Sequence, residues 1–201
     1  MFKFIAHTQG WRLILFPLES TVSKRDVIGG SVTVESDGVI TIHTGTMYGP
    51  VDVAIEMYEQ PPSGSIDDWD DVVEVSARAT DTGPVGLVGM FSEGEDSDGE
   101  DPDAVTVRLG VCYRIRVHVR GRDETGSDDL IEMDQPAKDH VFLQLWPADW
   151  LDPKVWRVTS AKAQQDDEQS RDIREDRAVT LNRIHREVTD LKAFDLWESD
   201  L

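Results

Sequence analysis

One cysteine, Cys112, stands among the 201 residues, so no intrachain disulfide can form. That suits a reducing compartment. Long apolar runs are missing too. None approaches the roughly 18 residues that span a bilayer, and the opening stretch Met1–Gly10 holds too short a run for a signal peptide. These absences predict a cytoplasmic protein. Positive charge is scarce: 20 Lys and Arg face 40 Asp and Glu, a net charge of −20. The balance argues against direct binding to nucleic acid or to an anionic membrane, both of which need positive surface.

The signatures of common chemistry are also missing. There is no G-x-S-x-G elbow and no context that would activate Cys112. Cys112 and His118 share a strand face but lie about 20 Å apart at roughly 3.4 Å per residue, too far for a dyad. The histidines His7, His43, His118, His140 and His185 form neither H-x-H nor H-E-x-x-H, and one cysteine cannot build a zinc framework. His118 and His140 remain able to meet on neighbouring strands beside a carboxylate. Gly83, Gly86 and Gly89 match neither a dinucleotide fingerprint nor a P-loop. Carboxylate pairs are abundant, but nothing singles one out for glycosidase-like work. The sequence therefore offers no catalytic residue, no metal site and no cofactor.

What is present is acid, unevenly placed. Between Asp52 and Asp103 sixteen acids face one base, Arg78, a net of −15. Two clusters dominate: Asp67, Asp68, Asp70 and Asp71 around Trp69, and the run Glu93–Asp103. The second lacks apolar residues and predicts a mobile, solvated loop over about 92–103. As an EF-hand it fails: with Gly99 at the sixth position, Gly94 falls first and Val105 twelfth, where Asp and Glu are needed.

Period-two alternation runs through most of the first 160 residues. It predicts strands at Trp11–Leu18, Ser31–Glu35, Gly38–Thr44, Val51–Tyr58, Asp71–Ala79, Ala104–Leu109, Cys112–Arg120, Val141–Trp146 and Val155–Thr159. The spacing, with no helical pattern between, predicts a mainly β fold: an antiparallel β-sandwich or jelly-roll domain over 1–160. Trp11–Leu18 is apolar on both faces and should be central or covered. In Cys112–Arg120, Tyr113, Ile115, Val117 and Val119 point to the core, while Arg114, Arg116, His118 and Arg120 point away. Those arginines either pair across strands with acids such as Glu56 or Glu74, or form an anion-binding groove. Trp146, Trp150 and Trp156 fall in an apolar segment where packing is the commoner role than stacking on sugars or bases.

Residues 161–201 read as a charged amphipathic helix and tail. Leu181, Ile184, Val188 and Leu191 form one stripe, too short for a coiled coil, which either packs on the sheet or docks on a partner.

The stretch Tyr113–Asp123 (YRIRVHVRGRD), then His140–Ala148 (HVFLQLWPA), with Trp69–Glu74 (WDDVVE) upstream, resembles a pattern in uncharacterised actinobacterial proteins. The resemblance implies a small β-sandwich and no activity. In layout and charge the chain is also similar to small acidic bacterial inhibitors such as the competence nuclease inhibitor.

Three functions follow as expectations. The first is a non-enzymatic acidic binding protein, in its sharpest form an immunity-type inhibitor of a basic nuclease or toxin, using Asp67, Asp68, Trp69, Asp70 and Asp71. The second is a structural or assembly subunit docking through Leu181, Ile184, Val188 and Leu191. The third is a small-ligand or carbohydrate-binding domain using Arg114, Arg116 and Arg120 or exposed tryptophans. For the third, a concave pocket holding one of those groups argues in favour and a flat, fully paired face argues against.

Overall fold

The structure is a computed structural model that describes residues 1–21, 25–89, 103–125 and 130–173. The chain divides into two compact units, Met1–Asp167 and Glu168–Leu201. The first unit begins with β1 (Phe2–Gln9), β2 (Arg12–Glu19), β3 (Asp26–Ile28), β4 (Val32–Val34), β5 (Val39–His43) and β6 (Tyr48–Met57). It continues with β7 (Asp71–Ala79), β8 (Gly83–Pro84), β9 (Gly86–Gly89), β10 (Thr106–Val107), β11 (Cys112–Arg120), β12 (Asp139–Pro147) and β13 (Lys154–Val158). A helix, α1, runs over 161–173. Among the described residues no helix is long and apolar enough to cross a membrane.

The mainly β composition holds, but the sandwich or jelly roll does not. Strands β7, β11, β12, β6, β1 and β2 pair in that order, and β2 then meets β7 through Leu18 opposite Ala79 and Glu19 opposite Arg78. The sheet thus closes into a six-strand β-barrel. The expectation was of two facing antiparallel sheets; here one sheet faces itself, and β12 runs parallel to β6. Inside–outside alternation is the same for both architectures, and only the edge pairing separates them. Outside the ring, β5, β4 and β3 extend from β2, β9 pairs with β2, and β13 pairs with β7.

The interior follows the alternation. Ile55, Val75, Ile115, Val117, Leu143 and Leu145 have no exposed surface, and Tyr113 and Val119 join the same core. Each fully buried aliphatic side chain contributes about 1.5–3 kcal/mol. β1 lies outside the expected strands: its inward set weakens from Phe2 and Phe4 to Ala6 and Thr8, and the outward Ile5 blurs the alternation. Gly83, Gly86 and Gly89 lie in the short strands β8 and β9. Covered by β5 and β9 on its two edges, β2 is central, as its apolar faces predict.

The link from β13 into α1 is held by polar groups. Ser160 caps the helix, its Oγ accepting from Ala163 N at 3.2 Å, and the Asp123 carboxylate accepts from Ala161 N and Lys162 N at 2.7 and 3.1 Å. The wholly buried Asp71 accepts from Thr159 N, Ser160 N and Ser160 Oγ. Buried Arg122 reaches Asp166 at 2.8 Å and the carbonyl of Gly30 at 3.1 Å.

Candidate functional site

On the outer row of β11 three arginines, Arg114, Arg116 and Arg120, project from a strongly acidic chain. Two of the three pair with an acid. Arg114 Nε donates to Glu74 Oε2 at 3.1 Å, and Arg116 Nε donates to Glu74 Oε1 at 2.8 Å. Arg114 also donates to Ser76 Oγ and the Leu151 carbonyl, and Arg116 to the Pro62 carbonyl. Trp146 and Trp156 flank the Arg116 guanidinium at 5.6 and 5.2 Å. Both arginines and Glu74 are buried, since segments 59–70 and 148–153 lie over this part of the barrel wall. Of the two acids named from sequence, the partner is Glu74; Glu56 instead accepts from Tyr58 Oη at 2.5 Å. Trp146 is buried, while Trp150 and Trp156 keep about two fifths of their surface, 39% and 43%.

Arg120 differs. It is exposed at the end of β11, its guanidinium 5.1 Å from the Trp69 ring, and it makes no ion pair among the described residues. Beside it lies a groove of about 760 Å³ across the outer faces of β1, β6 and β12. Register explains its shape. One cross-strand row reads Ile5, Asp52, His140, Arg120, and the next reads Lys3, Ala54, Phe142, His118. Ala54 is the small residue in the middle of long neighbours, so the surface sinks there. Trp69, stacked on Phe142 at 6.0 Å, forms one wall, and Lys3 and Ile5 stand on the other.

The polar groups are few and placed. His140 Nδ1 lies 3.1 Å from Asp52 Oδ2, which leaves Nε2 as the nitrogen not engaged by that carboxylate. Lys3 is exposed and, like Arg120, makes no ion pair among the described residues. Among the described residues no Ser, Thr, Cys or Tyr lines the groove. Behind the Trp69 wall, His118 packs against Trp69 and Phe142 at 5.3 Å each, with its Nε2 2.9 Å from Gln144 Oε1. Burial lowers the His118 pKa to about 4, against the Gln144 contact, which raises it. His118 and His140 thus sit one row apart and do not meet; each has its own partner.

The acidic cluster around Trp69 separates into two kinds. Asp67 and Asp68 are exposed. Asp70 accepts from Gly121 N at 2.9 Å, and Asp71 is the buried acceptor described above. Leu181, Ile184, Val188 and Leu191 lie outside the described residues, as does the acidic run up to residue 102. Cys112 is half-buried, and burial raises its thiol pKa, the direction opposite to an activated nucleophile. Among the described residues no group of three His, Cys, Asp or Glu is placed to hold a metal. The sequence named Arg120 and Trp69 but missed Lys3, Ala54 and Asp52; the available signal was the small Ala54 amid long residues on an alternating strand.

No protein-family model matches the chain, and no curated protein matches it. Among solved structures, a chain titled "Crocagin biosynthetic gene J" is similar at a TM-score of 0.38 and 14% identity. The match covers 73% of this chain and 99% of that one. A likeness of that size carries no argument about function.

Proposed function

We propose that this chain is a non-enzymatic binding protein that takes a small molecule in the groove over Ala54. The observation that carries the reading is the concavity itself. About 760 Å³ of space falls in the size range of ligand sites, which are mostly apolar with a few convergent polar groups. Here Ile5, Ala54, Phe142 and Trp69 supply the apolar part, and His140, Asp52, Lys3 and Arg120 the polar part. By contrast, Arg114 and Arg116 are buried and paired with Glu74, which argues against them as ligand groups. A cytoplasmic location goes with this reading, on the strength of the single cysteine.

The test is a fragment screen by ¹H–¹⁵N chemical-shift perturbation on the full chain, repeated on Ala54→Leu. Ala54 points outward, so the larger side chain fills the groove without touching the core. Binders should perturb Ala54, Phe142 and the Trp69 indole, and the variant should lose them while keeping its unfolding midpoint. Fragments that bind the variant equally well, or perturb only other surfaces, would refute the assignment.

A second reading keeps the acidic binder, including the immunity-type inhibitor of a basic nuclease or toxin. It is favoured by the exposure of Asp67 and Asp68 beside the groove wall, which would steer a cationic protein and lose on-rate as salt rises. Asp67→Asn/Asp68→Asn should then weaken capture of a basic partner from host extract at low salt. Capture unaffected by salt and by that double variant would end this reading.

A further inference from the structure

We infer that the ligand of this groove is an anion: a carboxylate or phosphate carried on a flat apolar body, with Arg120 as its principal contact and Lys3 facing it from the opposite wall. The inference rests on the groove being the binding site and names the chemistry that it selects. Three observations support it. First, Arg120 and Lys3 both line the groove and make no ion pair among the described residues, in a chain where acids outnumber bases 40 to 20. Cations with no carboxylate partner among the described residues offer their charge to an incoming anion. Second, Asp52, the one carboxylate in the lining among the described residues, has His140 Nδ1 at 3.1 Å. Its Oδ2 faces the imidazole, and the groove presents the other nitrogen of His140 and two cations beside it. Third, Arg120 is held over Trp69 at 5.1 Å. A guanidinium resting on an indole face keeps its edge N–H groups available, and that planar fork matches carboxylate and phosphate oxygens.

The net charge of −20 does not oppose this. Charges beyond roughly 8 Å are largely screened at physiological salt, so the local field is set by the groove's own groups together with Asp67 and Asp68 beside its wall. The distance between the cations sets the ligand's width. Lys3 and Arg120 stand three strand spacings apart on β1 and β11, roughly 14 Å between backbones at about 4.8 Å per strand. A single small ion such as free phosphate would leave most of that span and the apolar floor at Ala54 and Phe142 unfilled. A body of one or two fused rings, lying between Trp69 and Ile5, would cover it.

The experiment uses matched sets of fragments on one fused-ring scaffold: carboxylate, phosphate monoester, carboxamide and methylammonium. Each is titrated into the full chain, into Arg120→Gln, Lys3→Gln and Ala54→Leu, with binding read from groove chemical shifts. The carboxylate or the phosphate should bind at least about tenfold more tightly than the carboxamide, the effect of one charge-assisted contact. The stronger of the two anions identifies the head group. Arg120→Gln should erase that preference, Lys3→Gln should reduce it, and raised salt should shrink it. Both residues are exposed and outside the core, so unchanged unfolding midpoints will show that the fold is intact. Carboxamide or methylammonium binding as tightly as the anions, with all of it lost in Ala54→Leu, would overturn the anion assignment and leave the groove reading standing. No binding by any member, or binding indifferent to Ala54→Leu, would overturn both.

Discussion

Glu74 offers the sharpest test of how the barrel wall is built. Its two carboxylate oxygens each accept from a different guanidinium, at 3.1 and 2.8 Å, and all three side chains are less than a tenth exposed, at 8%, 3% and 9%. In Glu74→Gln the shape survives, but one oxygen becomes an amide N–H₂ facing an arginine, and two buried cations lose the one anion that pairs with them among the described residues. Removing one member of a buried ion pair costs about 3–5 kcal/mol, chiefly because the remaining charge is stranded. For a chain of this size that lowers the thermal midpoint by roughly 6–20 °C. Urea unfolding followed by Trp fluorescence should show a lower midpoint at unchanged m-value. The triple variant Glu74→Met/Arg114→Met/Arg116→Met should regain much of the loss, because no buried charge remains to be desolvated. A change within about 0.5 kcal/mol in Glu74→Gln, the size of an ordinary surface substitution, would refute the reasoning. The two guanidiniums would then have to be reaching water, and Arg114 and Arg116 would return as anion-binding groups.

Other consequences follow from the same geometry. Asp71→Asn should cost about 2–4 kcal/mol by disturbing the buried acceptor of three donors at Thr159 and Ser160, whereas Asp67→Asn and Asp68→Asn should each stay within about 0.5 kcal/mol; equal effects in chemical denaturation would contradict the division of that cluster. Gly30→Ala should be severely destabilising, because the backbone sits at φ +63° and a Cβ would land 1.8 Å from the Ala163 carbonyl oxygen, while Gly64→Ala, which meets nothing within 4 Å, should be near neutral. His43 has its pKa lowered to about 3, first by burial and then by Arg122, Arg12 and Arg25; the Asp166 oxygen 3.8 Å away is already bound to Arg122 at 2.8 Å. Between pH 6.5 and about 3 the unfolded chain therefore holds a proton on this residue that the native chain does not, so stability present above pH 6.5 is lost on acidification at up to about 1.4 kcal/mol per pH unit. Urea midpoints measured from pH 7 to pH 4 should decline less steeply in His43→Gln, and parallel curves would show that His43 is not the group responsible.

Much of the fold was legible because a strand in a closed wall still alternates. Tyr113, Ile115, Val117 and Val119 announced the inward face of β11, and the arginines between them announced the other. Cross-strand pairing left Glu56 and Glu74 open as partners of those arginines, and Glu74 is the one that pairs. Alternation cannot show how a sheet ends, and here the ends decide the architecture: two residue pairs between β2 and β7 turn an open layer into a barrel. Nor could the sequence show that both faces of β11 are buried. A row of Arg, His and Arg reads as solvated until segments 59–70 and 148–153 cover it, and covering it is tolerable only because Glu74, Ser76 and backbone carbonyls satisfy the guanidiniums.

The groove was hidden for a related reason. Sequence reading gives weight to residues that carry chemistry, whereas a concavity comes from a residue that carries little. Ala54 carries no functional group, yet its missing side-chain volume between Lys3 and Phe142 creates the depression. The pair beside it depends on topology as well. Asp52 and His140 stand opposite each other because β6 and β12 run parallel, a pairing excluded from the all-antiparallel fold that the alternation suggested. The acidic density around Trp69 misled in the same way, since it is the indole that shapes the groove while Asp70 and Asp71 anchor the backbone around it. A ligand contact in this protein is therefore to be sought where a small residue and an uncommitted cation share a cross-strand neighbourhood. Charge density alone marks the wrong residues, because half of that cluster serves the fold.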